Sequence, residues 1–332
     1  NITLNFRTNV GVKLPGELFS LLKNGVENSS YDLSDVGANA TAWAELGFGH
    51  SHKINDKLSI GANLKFLFGA GNIDAKFNKA NLQLTDNSWN IIADAELHTS
   101  IKGLNYERSY NRHTNRQYVS GMDIDGAGLG GFGLAVDLGA EYKINSDWNV
   151  GLSITDLGAI RWSNDVVAST NGEQSVKTDD YTFNADKNAN NSFSNEWSEI
   201  RDKISLIYQL QDMGDTGSRT TALGATMYAA VDYTLPTYRK LKFGLLNSTR
   251  FQGDYTWTNF RLSANISPIK QISAGVNYAL GTYGNSFGWI IDFHPKFINI
   301  FVSQDNMFTK IAKQGVPLSS NSSLNLGINV PF

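Results

Sequence analysis

Apolar and polar residues alternate with a period of two along most of this chain. The last stretch shows it plainly: Leu324, Leu326, Ile328, Val330 and Phe332 fall on one face, with Asn325, Gly327 and Asn329 on the other. A two-residue period predicts a strand. The same pattern predicts a first strand over 1–13, where Ile2, Leu4, Phe6, Val10 and Val12 oppose Thr3, Asn5, Arg7, Asn9 and Gly11. Pro15 and the stripe Leu18, Phe19, Leu21 and Leu22 then predict a short helix ending at Gly25. Strands follow over 39–53 and 58–69, joined by the turn Ile54-Asn55-Asp56-Lys57. In 72–88 the alternation shifts phase, which predicts one bulged strand turning at Asp86-Asn87-Ser88, and another strand starts at Trp89. After a polar loop at 104–127, strands at 132–143 and from Trp148 flank a second turn, Ile144-Asn145-Ser146-Asp147.

The segment 164–219 breaks the rhythm. It is rich in Asn, Asp, Ser and Thr, but Trp197, Ile200, Ile204, Ile207 and Leu210 recur at helical spacing and place a helix near 196–210. Six strands then come in quick succession between 220 and 304, before the terminal one. Short turns near 54–57, 144–147, 236–239, 267–270 and 294–296 alternate with long connections at 14–38, 104–127, 164–219 and 305–321. Short turns at one end and long loops at the other are the habit of outer-membrane barrels, and the strand total comes to about fourteen, an even number.

Charge separates a barrel from a soluble sandwich. Arg7, Glu45, Lys65, Asp94, Glu96, His98, Asp137, Glu141, Asp232, Lys242, Arg261, Asp292 and His294 all lie on one phase of their strands, opposite an almost uncharged face. A sandwich would turn that charge to solvent and use apolar strands of about five or six residues. The strands here run to about 11–15 residues, and a Lys or Arg facing lipid at mid-membrane costs about 2–4 kcal/mol. The fold class expected is therefore all-β: a transmembrane antiparallel β-barrel of about 14 strands with short helices in the extracellular loops. One such domain spans 1–332, with 164–219 as a long extracellular loop, the apolar phase meeting lipid and the ionisable phase lining the lumen.

Composition narrows the functions. The chain has 332 residues, 18% of them charged, and a net charge of −3, so it lacks the basic stripe that phosphate backbones require. No run reaches the roughly 18 apolar residues of a membrane helix. Without cysteine there is neither a thiolate metal site nor a Cys nucleophile. Asp94, Glu96 and His98, at i, i+2 and i+4, admit an acid–base or metal cluster, but a hydrated lumen wall explains them more simply. The run Gly126-Ala127-Gly128-Leu129-Gly130-Gly131 resembles a dinucleotide loop, yet a strand follows it where the fingerprint needs a helix. No Gly-x-Ser-x-Gly elbow is present. No enzyme activity, cofactor or metal is expected. Trp43, Trp89, Trp148, Trp162, Trp257 and Trp289 lie mostly near strand ends, which predicts interfacial anchors. Asn1 already stands inside an alternating strand, so a signal peptide, and with it a folded segment, is expected upstream.

The stretches Ile54 to Gly69 and Ile154 to Trp162 carry a resemblance: the sequence looks like an uncharacterised family of Bacteroidetes outer-membrane barrels. That family is similar to the long-chain fatty-acid transporter (FadL) superfamily, which includes PorV-type and PorP/SprF-type barrels. The resemblance implies about fourteen strands, a plug segment upstream of Asn1, and an outer-membrane location among lipid and lipopolysaccharide. It implies passive transport of hydrophobic or amphipathic small molecules; the alternative is a non-transporting subunit or docking platform that binds an outer-membrane protein partner. An open porin would need the wider bore of about 16–18 strands. Ligand-contacting candidates at the outer mouth are Trp197, Ile200, Ile204 and Ile207, the apolar stripe of the predicted loop helix.

Overall fold

The alternating segments become strands that follow one another edge to edge, each antiparallel to the next. In chain order they are β1 (Ile2–Lys13), β2 (Gly37–Lys53), β3 (Leu58–Leu84), β4 (Gly131–Lys143), β5 (Trp148–Trp162), β6 (Ala225–Thr234) and β7 (Leu241–Phe251). The series continues with β8 (Trp257–Ile269), β9 (Ile272–Gly281), β10 (Gly284–Phe293), β11 (Asn299–Asp305) and β12 (Ser323–Asn329). The computed structural model describes every residue except 25–28, 85–87, 113, 127, 178–185, 187–188, 283, 306–309, 312–316, 320–322 and 330–332. Val330, Phe332, Gly25 and the turn at Asp86-Asn87 thus lie outside the described residues.

Two of the short turns share one chemistry. Asn55 Oδ1 accepts the N–H groups of Lys57 (2.8 Å) and Leu58 (2.9 Å), and Asn145 Oδ1 those of Asp147 (2.8 Å) and Trp148 (2.9 Å). An Asn side chain that mimics a backbone turn in this way fixes the reversal locally. A third turn is tied to the second: Arg239 donates to Asp147 Oδ1 at 2.6 Å and to the Ser146 carbonyl at 2.7 Å. The Arg239 hydrogen bond, followed by that of Ser146, holds the Asp147 carboxyl below its ordinary value. A carboxyl lowered in the folded state contributes stability above its unfolded pKa and loses it as pH falls through the folded one. Arg239→Gln should move the Asp147 titration upward, which side-chain NMR would read; an unchanged midpoint would refute the tie.

The sheet is rolled. β1 and β5 stand four strand spacings apart, roughly 19 Å on a flat sheet, yet Arg7 Nη1 on β1 lies 2.7 Å from Asp156 Oδ1 on β5. Nearer the long-loop end, the short helix Gly253–Tyr255 after β7 brings Tyr255 against Gly11 of β1. Aliphatic and aromatic side chains cover the outer face, including Phe6, Leu64, Leu134, Leu152, Leu262, Leu280 and Leu326, all exposed. Glu45 and Lys65 on the inner face are buried. No described helix is long and apolar enough to cross a membrane, a fact without bearing on strands.

The rhythm of the sequence placed two further strands over 72–101. In the structure the first of them continues 58–69, and β3 runs unbroken through 58–84. The cause is a register shift opposite Ala42 and Trp43, where Gly71 and Gly69 are the paired residues and Ala70 is extra. One inserted residue flips the phase of everything after it. The second strand, Trp89–Ile101, pairs with the upper part of β3 and, on its other edge, with Val166–Ser169 and Gln174–Lys177. The twelve strands of the series therefore belong to one 18-stranded sheet among the described residues, whose other members, this extension among them, pair at the long-loop end.

The long connections are built structures. Residues 104–127 contain a hairpin, Leu104–Asn111 with Arg116–Ile124. Residues 164–219 contain helix Phe193–Tyr208 and the strand Gln211–Asp215, which pairs with Val166–Ser169. Leu104, Tyr106, Val166 and Ala168 form a dry cluster with Leu97, Ile101, Val119 and Leu210 packed against it. The apolar face of Trp89–Ile101 is thus partly covered by protein, and Ala93 and Ala95 are buried.

Candidate functional site

The inward phase of β1 to β4 delivers Arg7, Glu45, Lys65 and Asp137 to one height, because Asn5 pairs with Glu45, Gly47 with Lys65, and Asn63 with Asp137. A fifth member, Asp156, arrives through an irregularity. The β4–β5 register shifts between Val136 and Leu138, and Asp156 adopts φ 60° while its N–H donates to Asp137 Oδ1 at 2.8 Å. Asp is among the few residues that visit this region readily. The extra residue reverses the faces: Leu152 is exposed below it and Leu157 above it, while Ile160 and Trp162 are buried inward.

Each cation meets two carboxylates. Arg7 Nη1 lies 2.7 Å from Asp156 and 3.4 Å from Glu45, and Lys65 Nζ lies 2.7 Å from Asp156 and 2.8 Å from Asp137. Glu45 also accepts from Asn5 Nδ2 at 2.9 Å. The Arg7 guanidinium stands 5.3 Å from the Trp43 ring centroid. Buried charge is tolerated only when compensated in this way.

Trp43, Leu67, Ala135, Ile160, Trp162 and Leu223 form an apolar layer beside the ion cluster. The Trp162 indole lies against Gly69, where a Cβ would overlap the ring, and its Nε1 donates to Thr221 Oγ1 at 2.8 Å. Trp43 and Trp162 are therefore interior residues, which corrects their assignment as interfacial anchors. Trp43 shares the inward phase of Glu45, and the Asp156 bulge turns Trp162 inward. Trp148, by contrast, is exposed at the short-turn end and packs on Tyr233 with ring centroids 4.6 Å apart.

Ion cluster and apolar layer lie between two cavities. Towards the short turns lies a cavity of about 890 Å³ whose lining joins inward Asn63, Asp137, Glu141 and Asp232 to Leu138 and Leu152 of the outer face. Towards the long loops lies one of about 580 Å³ whose lining includes Asn39, Thr41, Asn72, Asp74, Lys76 and Tyr255.

The other lumen candidates are scattered. Asp94 accepts from Thr170 Oγ1 at 3.2 Å; Glu96 faces Lys76 at 3.4 Å; His98 Nδ1 lies 2.7 Å from Asp165. Among the described residues no three His, Asp or Glu side chains are placed to hold a metal. Arg261 pairs with Asp305 at 3.2 Å, Asp292 with His294 at 2.7 Å, and Lys242 is exposed. Helix Phe193–Tyr208 lies against Trp89–Ile101 and Gln174–Lys177. Its Ile200 is buried, Ile204 and Ile207 are half-buried, Trp197 is exposed, and none of the four lines either interior cavity. The sequence reading missed Asp156, although the break from outward Ile154 to outward Leu157, three residues on, was its signal.

A family model described as "Family of unknown function (DUF5723)" matches residues 1–305. No curated protein matches the chain. Among solved structures it is similar to the P. putida toluene transporter TodX, with 7% identity, 99% of this chain and 87% of that chain covered, and a TM-score of 0.34. The Ralstonia pickettii toluene transporter TbuX matches at 9% identity over 93% and 84% of the two chains, with a TM-score of 0.32. Salmonella typhi OmpF matches at 8% identity over 98% and 96%, with a TM-score of 0.28.

Proposed function

The chain belongs to the DUF5723 family of unknown function, and from that starting point we propose that it is a bacterial outer-membrane barrel through which hydrophobic or amphipathic small molecules pass passively. One observation carries the reading: a rolled wall, greasy outside and ionisable inside, bears a cavity towards each end with the ion cluster and the apolar layer between them. Both linings are rich in polar side chains, which favours amphipathic solutes over pure hydrocarbons. Proteoliposomes holding the full chain should take up a labelled long-chain amphiphile faster than empty liposomes. Equal rates would end this reading.

A second reading, a subunit or docking platform in a surface assembly akin to PorV-type or PorP/SprF-type barrels, draws on the built structure of the long connections. The hairpin Leu104–Asn111 with Arg116–Ile124 leaves Tyr110, Met122 and Ile124 exposed. Purification in mild detergent that always yields a lone monomer would count against it.

A further inference from the structure

We propose that Asp156 is the latch of a gate, and that a solute crosses between the two interior cavities only when Asp156 releases Arg7 and Lys65. The inference rests on the transport reading and adds to it the device that regulates passage. Glu45 and Asp137 each hold a cation from a nearby strand of the wall, whereas Asp156 on β5 reaches both Arg7 on β1 and Lys65 on β3. It is the member that ties β1 to β5, four strands along the rolled wall. Its position also turns Ile160 and Trp162 into the apolar layer, so one residue sets both halves of the partition.

The charge count gives the gate a signature. Arg7 and Lys65 face Glu45, Asp137 and Asp156. A third cation, Arg250, donates to the Leu223 carbonyl at 3.1 Å, has no carboxylate partner among the described residues, and leaves its buried Nε without a partner. Three cations against three anions make the partition neutral, and removal of either sign leaves a surplus that repels the like ion and attracts its opposite.

The experiment is ion conductance of the purified chain in planar bilayers, with folding of each variant confirmed by its β-sheet circular dichroism. The unaltered chain should conduct weakly. Asp156→Asn should raise conductance at least about tenfold by uncoupling both cations, and the conducting form should prefer anions. Lys65→Met and Arg7→Gln should also raise conductance but prefer cations, and they serve if Asp156→Asn fails to fold. Lys53→Gln, in an exposed turn pair, should change nothing. The proposal is overturned if the unaltered chain conducts as well as the variants, if the folded variants stay shut, or if all of them show the same ion preference. Amphiphile uptake no faster than in empty liposomes, together with the expected conductance gains and opposite ion preferences, would instead refute the transport reading and leave the latch standing.

Discussion

Asp156→Gly should lower the free energy of unfolding by about 3–5 kcal/mol, the usual consequence of removing one partner from a buried charge pair. Glycine accepts the φ of 60° without strain, so the loss reports the missing side chain rather than a strained backbone. Arg7 would keep Glu45 at 3.4 Å and Lys65 would keep Asp137 at 2.8 Å, but each would lose its 2.7 Å partner. Asp156→Ala should cost about 1–2 kcal/mol more, because a Cβ is disfavoured at that φ. Urea titration in lipid vesicles would measure both. A loss below about 1 kcal/mol for the glycine variant would place the cluster in the regime of solvated surface pairs and remove it as the organiser of the interior.

Leu262→Arg should be nearly as damaging for a different reason. Leu262 sits in the middle of β8, is 60% exposed, and is flanked by Leu245 on β7 and Tyr278 on β9, themselves exposed. On a soluble protein such a surface change stays within about 0.5 kcal/mol. Facing the middle of a bilayer it should cost about 2–4 kcal/mol. Stability measured in vesicles separates the two, and an indifferent result would mean that the apolar outer face does not meet hydrocarbon.

Much of the wall is legible in the residues because alternation is local. Phe260, Leu262, Ala264 and Ile266 announce the outward face of β8 without reference to any other strand. Asn55 and Asn145 likewise announce their turns, since the atoms they bind are two and three residues away. The phase shifts at Ala70 and Asp156 were harder to read, because a bulge and a strand break disturb the period alike and only the pairing partner tells them apart. Trp43 and Trp162 were misplaced because an aromatic near a strand end fits either a membrane interface or an interior layer, and the choice depends on Gly69 and Thr221, far away in sequence. Polar composition hid the hairpin in 104–127 and the strands in 164–219, whose partners lie dozens of residues off. Arg7, Glu45, Lys65 and Asp137 were legible one by one as members of the ionisable phase of their strands. Their convergence was not, because curvature that brings β1 against β5 leaves no mark on either strand.

The inserted Ala70 governs how probes can be placed on β3. Fluorophores or spin labels at even positions from 58 to 68 should sense acyl chains, whereas even positions from 72 to 76 should sense the polar cavity on the long-loop side. A scan that assumed one uninterrupted parity would find its polarity profile inverted halfway along the strand, and that inversion would locate the extra residue.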